Sequence, residues 1–221
     1  MDGRLTVRIG IGGWTYEPWR GVFYPDGLVH RRELEYAAQH LTAIEINATF
    51  YGRQKPASWR KWGEAAPDGF QFTVKASRYS TARKVLAEGA DSIEKFLNQG
   101  FTELGDKLGP ILWQFAPTKH FERDDFARFL DLIPDSQDGV PLRHALEIRH
   151  ESFGDPKFFE LARTRNMAVV FADSDEYPCI DEATADFSYA RLQRTEESVE
   201  TGYDDKTLDA WADKTRGWSK G

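Results

Sequence analysis

The stretch IGIGGWTYEPWRGVFYP, residues 9–25, sets three glycines at the end of a short apolar run and a cluster of large aromatics directly behind them. Two folds could use such a segment. A doubly wound sheet would place G-x-G-x-x-G between its first strand and a helix, so that backbone N–H groups cradle a pyrophosphate. Here Thr15 stands where the third glycine belongs, and no helical pattern opens behind it. The dinucleotide reading therefore fails on context. The glycines read instead as small inward positions of a first strand, Gly10 and Gly12, and a tight exit at Gly13 that lets Trp14 swing over the strand end.

Outward from this segment, short β-type runs alternate with helical stretches. The strand candidates are VRIGIG (7–12), AIEIN (43–47), QFTVK (71–75), ILWQF (111–115), HALEIR (144–149), AVVFAD (168–173) and SYARLQ (188–193). Helical patterns cover 31–40, 58–65, 90–105, 123–132, 156–165 and 205–216. Repeated β-then-α order implies parallel strands joined by right-handed crossovers.

Parity then separates an open sheet from a barrel. In AIEIN, Ile44 and Ile46 alternate with Ala43, Glu45 and Asn47; in HALEIR, Leu146 and Ile148 alternate with Ala145, Glu147 and Arg149. A doubly wound sheet covers both faces with helices and keeps both parities apolar. One parity here repeatedly turns polar near the strand's C-terminal end, as at the mouth of a barrel. The expectation is one TIM-type (β/α) barrel domain over residues 1–221. Seven strands are counted, and the eighth is missing from the sequence, which stops at TRGWSKG. Either the barrel is open on that side, which would expose two strand edges, or the sequence lacks its natural C-terminus.

Composition narrows the function classes. With 40% hydrophobic and 14% aromatic residues in 221, the chain reads as globular. Net charge is −7, which argues against a broad duplex-DNA surface. A local basic pocket with aromatics keeps single-stranded nucleic acid open as a partner. Cys179 is the only cysteine, so internal disulfides and multi-cysteine zinc sites are excluded. No run approaches the roughly 20 apolar residues of a membrane span, and MDGRLTVRIG carries no signal pattern, so a cytoplasmic location is expected.

IGIGGWTYEPWRGVFYP, AIEINATFYGRQ, APDGFQFTVKASRYST, LGPILWQFAP, LEIRHESF and YARLQ together resemble successive signatures of the domain-of-unknown-function 72 (YecE-like) family. The resemblance keeps its order over nearly the whole chain. It implies a TIM-type barrel, and it brings no established reaction, substrate or cofactor. Three positions depart from the family pattern. Thr81-Ala82 stands where the family has Thr-His, Arg191-Leu192-Gln193-Arg194 where it has Arg-Leu-His-Gly, and Phe153 where a Trp follows the Arg-His pair. The family also continues into an aromatic-rich last strand. If those histidines act in chemistry, this member is altered in activity.

The candidate site is a ring of polar groups at strand ends. Glu45, Glu147 and Asp173 supply carboxylates, Lys75, Arg149 and Arg191 supply cations, and Asn47 and Gln114 add neutral groups. Barrel enzymes draw catalytic residues from several strand ends, so this distribution suits a site; a self-satisfying ion network in the top layer is the competing explanation. As a site, the ring fits acid–base catalysis on a small anionic or polyhydroxylated metabolite or nucleotide. Glu45, Lys75, Glu147 and Asp173 are the catalytic candidates, with Glu147 as base and Lys75 as acid, and Arg149 and Arg191 hold the anion. A divalent metal on Glu45, Glu147, Asp173 and His150 is opposed by three neighbouring cations and by the absence of HxH or HExxH spacing, so no metal ligands are assigned and the cofactor is unknown. His150, Tyr51, Trp14 and Tyr16 are further binding candidates, each with a packing role as its alternative. Besides an enzyme, the same residues would serve a non-catalytic ligand-binding barrel or a nucleic-acid processing protein.

Overall fold

The computed structural model describes residues 6–218. Among the described residues ten strands are defined: β1 Gly10–Gly12, β2 Ala43–Ile46, β3 Gln71–Lys75, β4 Leu108–Gln114, β5 Ser136–Gln137, β6 Val140–Pro141, β7 His144–Glu147, β8 Ala168–Val169, β9 Phe171–Asp173 and β10 Ala190–Leu192. Six form a central parallel sheet in the order β1-β2-β3-β4-β7-β8, with β9 and β10 as a parallel pair and β5 and β6 as an antiparallel hairpin. The order follows the chain without reversal, so the sheet lacks the switch point of a doubly wound fold. The α/β class and parallel winding are as expected. Closure into a barrel does not appear among the described strand pairings.

The chain forms two compact units, divided within β4. The first comprises residues 8–112 and 128–143. Its ladder pairs Gly10 with Ala43, Gly12 with Glu45 and Glu45 with Thr73. Gly10 is required by this register, because a Cβ there would lie 2.1 Å from the Ala43 carbonyl oxygen. Ile44, Ile46, Phe72 and Val74 are wholly buried. Trp59, also wholly buried, comes from the helix Pro56–Ala65 and donates its indole N–H to the Gln99 carbonyl at 2.9 Å. The helical pattern read over 90–105 divides in two: an α-helix at Ala90–Leu97 and a 3₁₀ segment at Phe101–Lys107. Gly100, at φ 91°, makes the left-handed turn between them.

The second unit comprises residues 6–7, 113–127 and 144–218 of the described chain. All four residues of β7 are buried. The run expected as one strand over 168–173 is two pieces. β8 pairs with β7, matching Ala145 to Ala168, and β9 pairs with β10, matching Leu192 to Asp173. At the junction the Val170 amide donates to Leu146, and the next amide, Phe171, donates to Tyr189 on the other side. Buried phenylalanines at 115, 126, 153 and 158 pack edge-on or tilted in one cluster with ring centroids 5.2–6.1 Å apart. Pro156 opens the helix Pro156–Thr164 behind an Asp155 cap, whose carboxylate accepts the Lys157 amide at 2.9 Å. Among the described residues no helix is long and apolar enough to cross a membrane.

Candidate functional site

Glu147 ends β7 with no solvent exposure, and its carboxylate is the centre of a polar cluster in the second unit. Gln114, at the end of β4, donates its amide to Oε2 at 2.7 Å. Arg149 donates Nε to Oε1 at 2.9 Å and brings a second guanidinium nitrogen to the same oxygen at 2.9 Å. Arg191, in β10, donates to Oε2 at 2.9 Å. Glu147 and Arg149 share strand parity, so the alternation that buries Leu146 and Ile148 puts both polar groups on one side. An ionised carboxylate has about four lone-pair directions, and donors from three residues approach these two oxygens. Tyr177, which sequence reasoning passed over, lies under the Arg149 guanidinium at 4.2 Å from its ring centroid. Each arginine keeps about a fifth of its side chain in solvent, 19% for Arg149 and 20% for Arg191.

Asp173 closes β9 in the same unit and has other partners. The Tyr203 hydroxyl donates to it at 2.9 Å, and an Arg194 guanidinium nitrogen lies 3.4 Å away. Arg194 also donates to the Ser174 carbonyl and pairs with Asp175, both at 2.9 Å. Burial, reinforced by the neighbouring Asp173 carboxylate, pushes the Tyr203 phenol up to about 12, so it stays a protonated donor across the neutral range. Neither Tyr203 nor Arg194 was a sequence candidate. Both belong to the irregular 193–204 segment, where no periodicity marks a side chain as inward.

The remaining ring residues sit in the first unit. Glu45 and Lys75, 7% and 9% exposed, lie in the adjacent parallel strands β2 and β3, Glu45 next to last in β2 and Lys75 last in β3. The Lys75 ammonium stands over the Phe50 ring at 4.6 Å. Thr49 binds this corner together, donating its hydroxyl to the Ile46 and Lys75 carbonyls. Asn47 follows β2 and has a buried Oδ1 without a partner among the described residues. Opposite it, a Cβ on Gly12 would come within 3.0 Å of the Asn47 amide nitrogen, so the glycine admits this side chain. Tyr51 is 67% exposed, with the Arg78 guanidinium 5.9 Å above its ring.

The aromatics behind β1 pack within the first unit. Trp14 meets Trp62 edge-on at 5.4 Å, and the Tyr16 hydroxyl donates to the Gly12 carbonyl. Tyr16, Trp19, Phe23 and Tyr24 continue as a chain of ring contacts that reaches Tyr36 on the helix Glu33–His40. Arg20 pairs with the buried Glu33 of that helix at 2.8 Å and ties the loop down.

In the second unit, His150 caps the 3₁₀ turn Glu151–Phe153, its Nδ1 accepting the Ser152 amide at 3.1 Å. Its ring lies 3.8 Å from that of His120, a contact not legible from the sequence. Cys179 is exposed, and partial desolvation together with Asp173 raises its thiol above the ordinary range, which disfavours a thiolate. Among the described residues no group of three or more His, Cys, Asp or Glu is arranged to hold a metal ion.

Comparison with known proteins gives consistent matches. The model for "Protein of unknown function DUF72" matches residues 8–221. The UPF0759 protein YunF of Bacillus subtilis (strain 168) is 28% identical over 159 residues, covering 70% of this chain and 54% of the relative. The chain thus spans about half the length of that curated relative. Among solved structures, a DUF72 family protein (TM1631) from Thermotoga maritima is 22% identical with a TM-score of 0.74, over 96% of this chain and 87% of its own. Another (EF0366), from Enterococcus faecalis, is 17% identical with a TM-score of 0.70, over 99% and 88%. At these identities the solved structures speak for the fold alone.

Proposed function

The chain belongs to the DUF72 family, which is defined without a reaction, and for this member we propose recognition of a small anionic metabolite by Arg149 and Arg191, with Glu147 positioning both. The winding would be that of a (β/α) barrel, a reading supported by strand order that follows the chain. One observation carries the anion site: a wholly buried carboxylate takes donors from both guanidinium groups while each guanidinium side chain keeps about a fifth of its surface in water. A base needs an open lone pair, and the Glu147 oxygens are already engaged by Gln114 and the two arginines. Glu147 is therefore read as the anchor. Fixed, planar guanidinium groups, that of Arg149 also stacked on Tyr177, suit carboxylate or phosphate, because their donors are oriented before the ligand arrives.

Calorimetric titration with inorganic phosphate, pyruvate and adenosine monophosphate tests this. At least one is expected to bind, and Arg149→Ala or Arg191→Ala should each weaken it about 10- to 100-fold, the loss of a charge-assisted contact. Binding that survives both substitutions unchanged, or no binding of any probe by the folded parent, rejects the anion site.

A second reading, proton transfer, is favoured by the first unit. Glu45 and Lys75 are a buried acid and a buried amine in neighbouring strands, opposite chemical types beside the half-buried Asn47 amide. We propose that they are the acid–base pair if the protein is an enzyme. Deuterium uptake from D₂O into a panel of hydroxy acids and sugar acids, read by mass spectrometry, should then fall about 10²- to 10⁴-fold in Glu45→Gln and in Lys75→Met. A panel that takes up no deuterium with the parent protein removes this reading.

A further inference from the structure

Beside the helix Asp205–Trp218 lies an open cavity of about 380 Å³ in the second unit; Asp173, Arg194 and Tyr203 line it, but no role has been given to it above. Its two walls differ in chemistry. The helix contributes Trp211 and Lys214, three positions apart and so on one face. Both are hydrogen-bond donors without acceptor capacity. The Trp211 indole N–H is buried and has no partner among the described residues, a costly arrangement that a ligand oxygen would relieve once the ring turns this edge toward the cavity. Lys214 is steered by Asp181, with which it pairs, and its ammonium stands 4.5 Å over the Phe171 ring.

The facing wall supplies acceptors. Asp173 and Glu196 both line the cavity, and Tyr203 adds its ring. Arg194 also reaches the lining, but its guanidinium donors go to Asp173, Asp175 and the Ser174 carbonyl. The four charged side chains, two acidic and two basic, sum to zero. Asp175 and Asp181 pair with the two cations from outside the lining, so an anion finds no overall attraction, whereas a dipolar ligand finds donors at one wall and carboxylates at the other. The volume is at the small end for ligand pockets.

We propose that this cavity binds a zwitterion of the free α-amino acid class, its carboxylate on the Trp211 N–H and the Lys214 ammonium, and its own ammonium on Glu196 and Asp173. The site is independent of the anion site at Arg149 and Arg191. A neutral polyol could meet the same hydrogen bonds without the charges, and the test separates the two.

The probes are glycine, L-alanine, L-serine and L-glutamate, each beside its N-acetyl derivative, with erythritol as the polyol. They are titrated into the ¹⁵N-labelled 221-residue chain. The reporter is the Trp211 indole resonance, one of seven tryptophan signals, assigned by its loss in Trp211→Phe. At least one free amino acid should move it saturably at millimolar concentration, and its N-acetyl form should not. Trp211→Phe keeps most of the ring and removes the donor; affinity by calorimetry should fall about tenfold or more, and Glu196→Gln, at an exposed position, should cost a similar factor. An indole resonance that no free amino acid moves overturns the proposal. So does an equal response to N-acetyl derivatives, or a response to erythritol alone. Phosphate binding in the same preparation with no amino-acid response rejects the cavity site and leaves the anion site standing.

Discussion

Glutamine in place of Glu147 is expected to lower the unfolding temperature by about 6–20 °C. The carboxylate has no solvent exposure and carries the negative charge between two arginines that reach it at 2.9 Å. Removing one member of a buried ion cluster typically costs about 3–5 kcal/mol, since the remaining charges keep their desolvation penalty without compensation. In a domain of this size each kcal/mol moves the midpoint by about 2–4 °C. The amide also turns an N–H₂ group toward guanidinium donors, so shape is kept while the hydrogen-bonding sense is reversed. Circular dichroism melts of Glu147→Gln beside Glu103→Gln give the comparison. Glu103 pairs with Arg60 at 3.4 Å on the surface, where a pair contributes about 0–1 kcal/mol. If the two variants melt together, the Glu147 cluster is not what holds this strand end.

How much of this site was legible before the structure depends on where each residue lies. Glu147 and Arg149 were found because they sit two apart at the end of an alternating strand, and Gln114 because it interrupts an apolar one. Their strand geometry forces a face, so parity alone predicts which side chains point together. Asp173 was found the same way, but Tyr203 and Arg194 were missed. They reach it from a segment without regular structure, where no period indicates direction. Trp211 and Lys214 were missed for another reason: no residue of their helix is buried, so its apolar pattern gives no warning of a cavity beside it.

The fold was legible to a similar depth. Each of the seven expected runs overlaps a strand, though β4 starts three residues before the run read at 111–115, because short apolar alternation between turn residues needs few long-range contacts to be recognised. The division at Val170 was not, since a change of pairing partner is a property of the neighbours. The hairpin of Ser136–Gln137 and Val140–Pro141 carries a local signal in its turn. Asp138 and Gly139 take φ of 50° and 78°, the left-handed turn that an Asp-Gly pair favours. The aromatics after β1 illustrate the opposite limit. Facing a ligand and packing on the helix Glu33–His40 look alike in sequence, and only the observed ring contacts reveal the packing.

Phe153 separates packing from chemistry in the signature LEIRHESF. It lies where the family pattern has Trp, three residues past His150 and four past Arg149 of the site region, so its replacement could be taken for lost function. Its surroundings point to volume instead. Phe153 has no solvent exposure, and its ring meets those of Phe121, Phe126 and Phe158 at 5.3, 5.5 and 5.2 Å and that of Phe115 at 6.1 Å. None of these neighbours is polar. Phe153→Ala should therefore destabilise by about 3–5 kcal/mol, the cost of an aromatic-sized cavity that rings on four sides cannot collapse to fill. Phe153→Trp should cost about 1–3 kcal/mol despite restoring the family residue, because the phenylalanines around it have closed on the smaller ring. Urea unfolding of the two variants measures both. A Phe153→Trp protein more stable than the parent would mean that the cluster holds unfilled room for an indole. Unchanged phosphate and amino-acid titrations in that variant would assign the position to the core; a titration lost without loss of stability would assign it to the site.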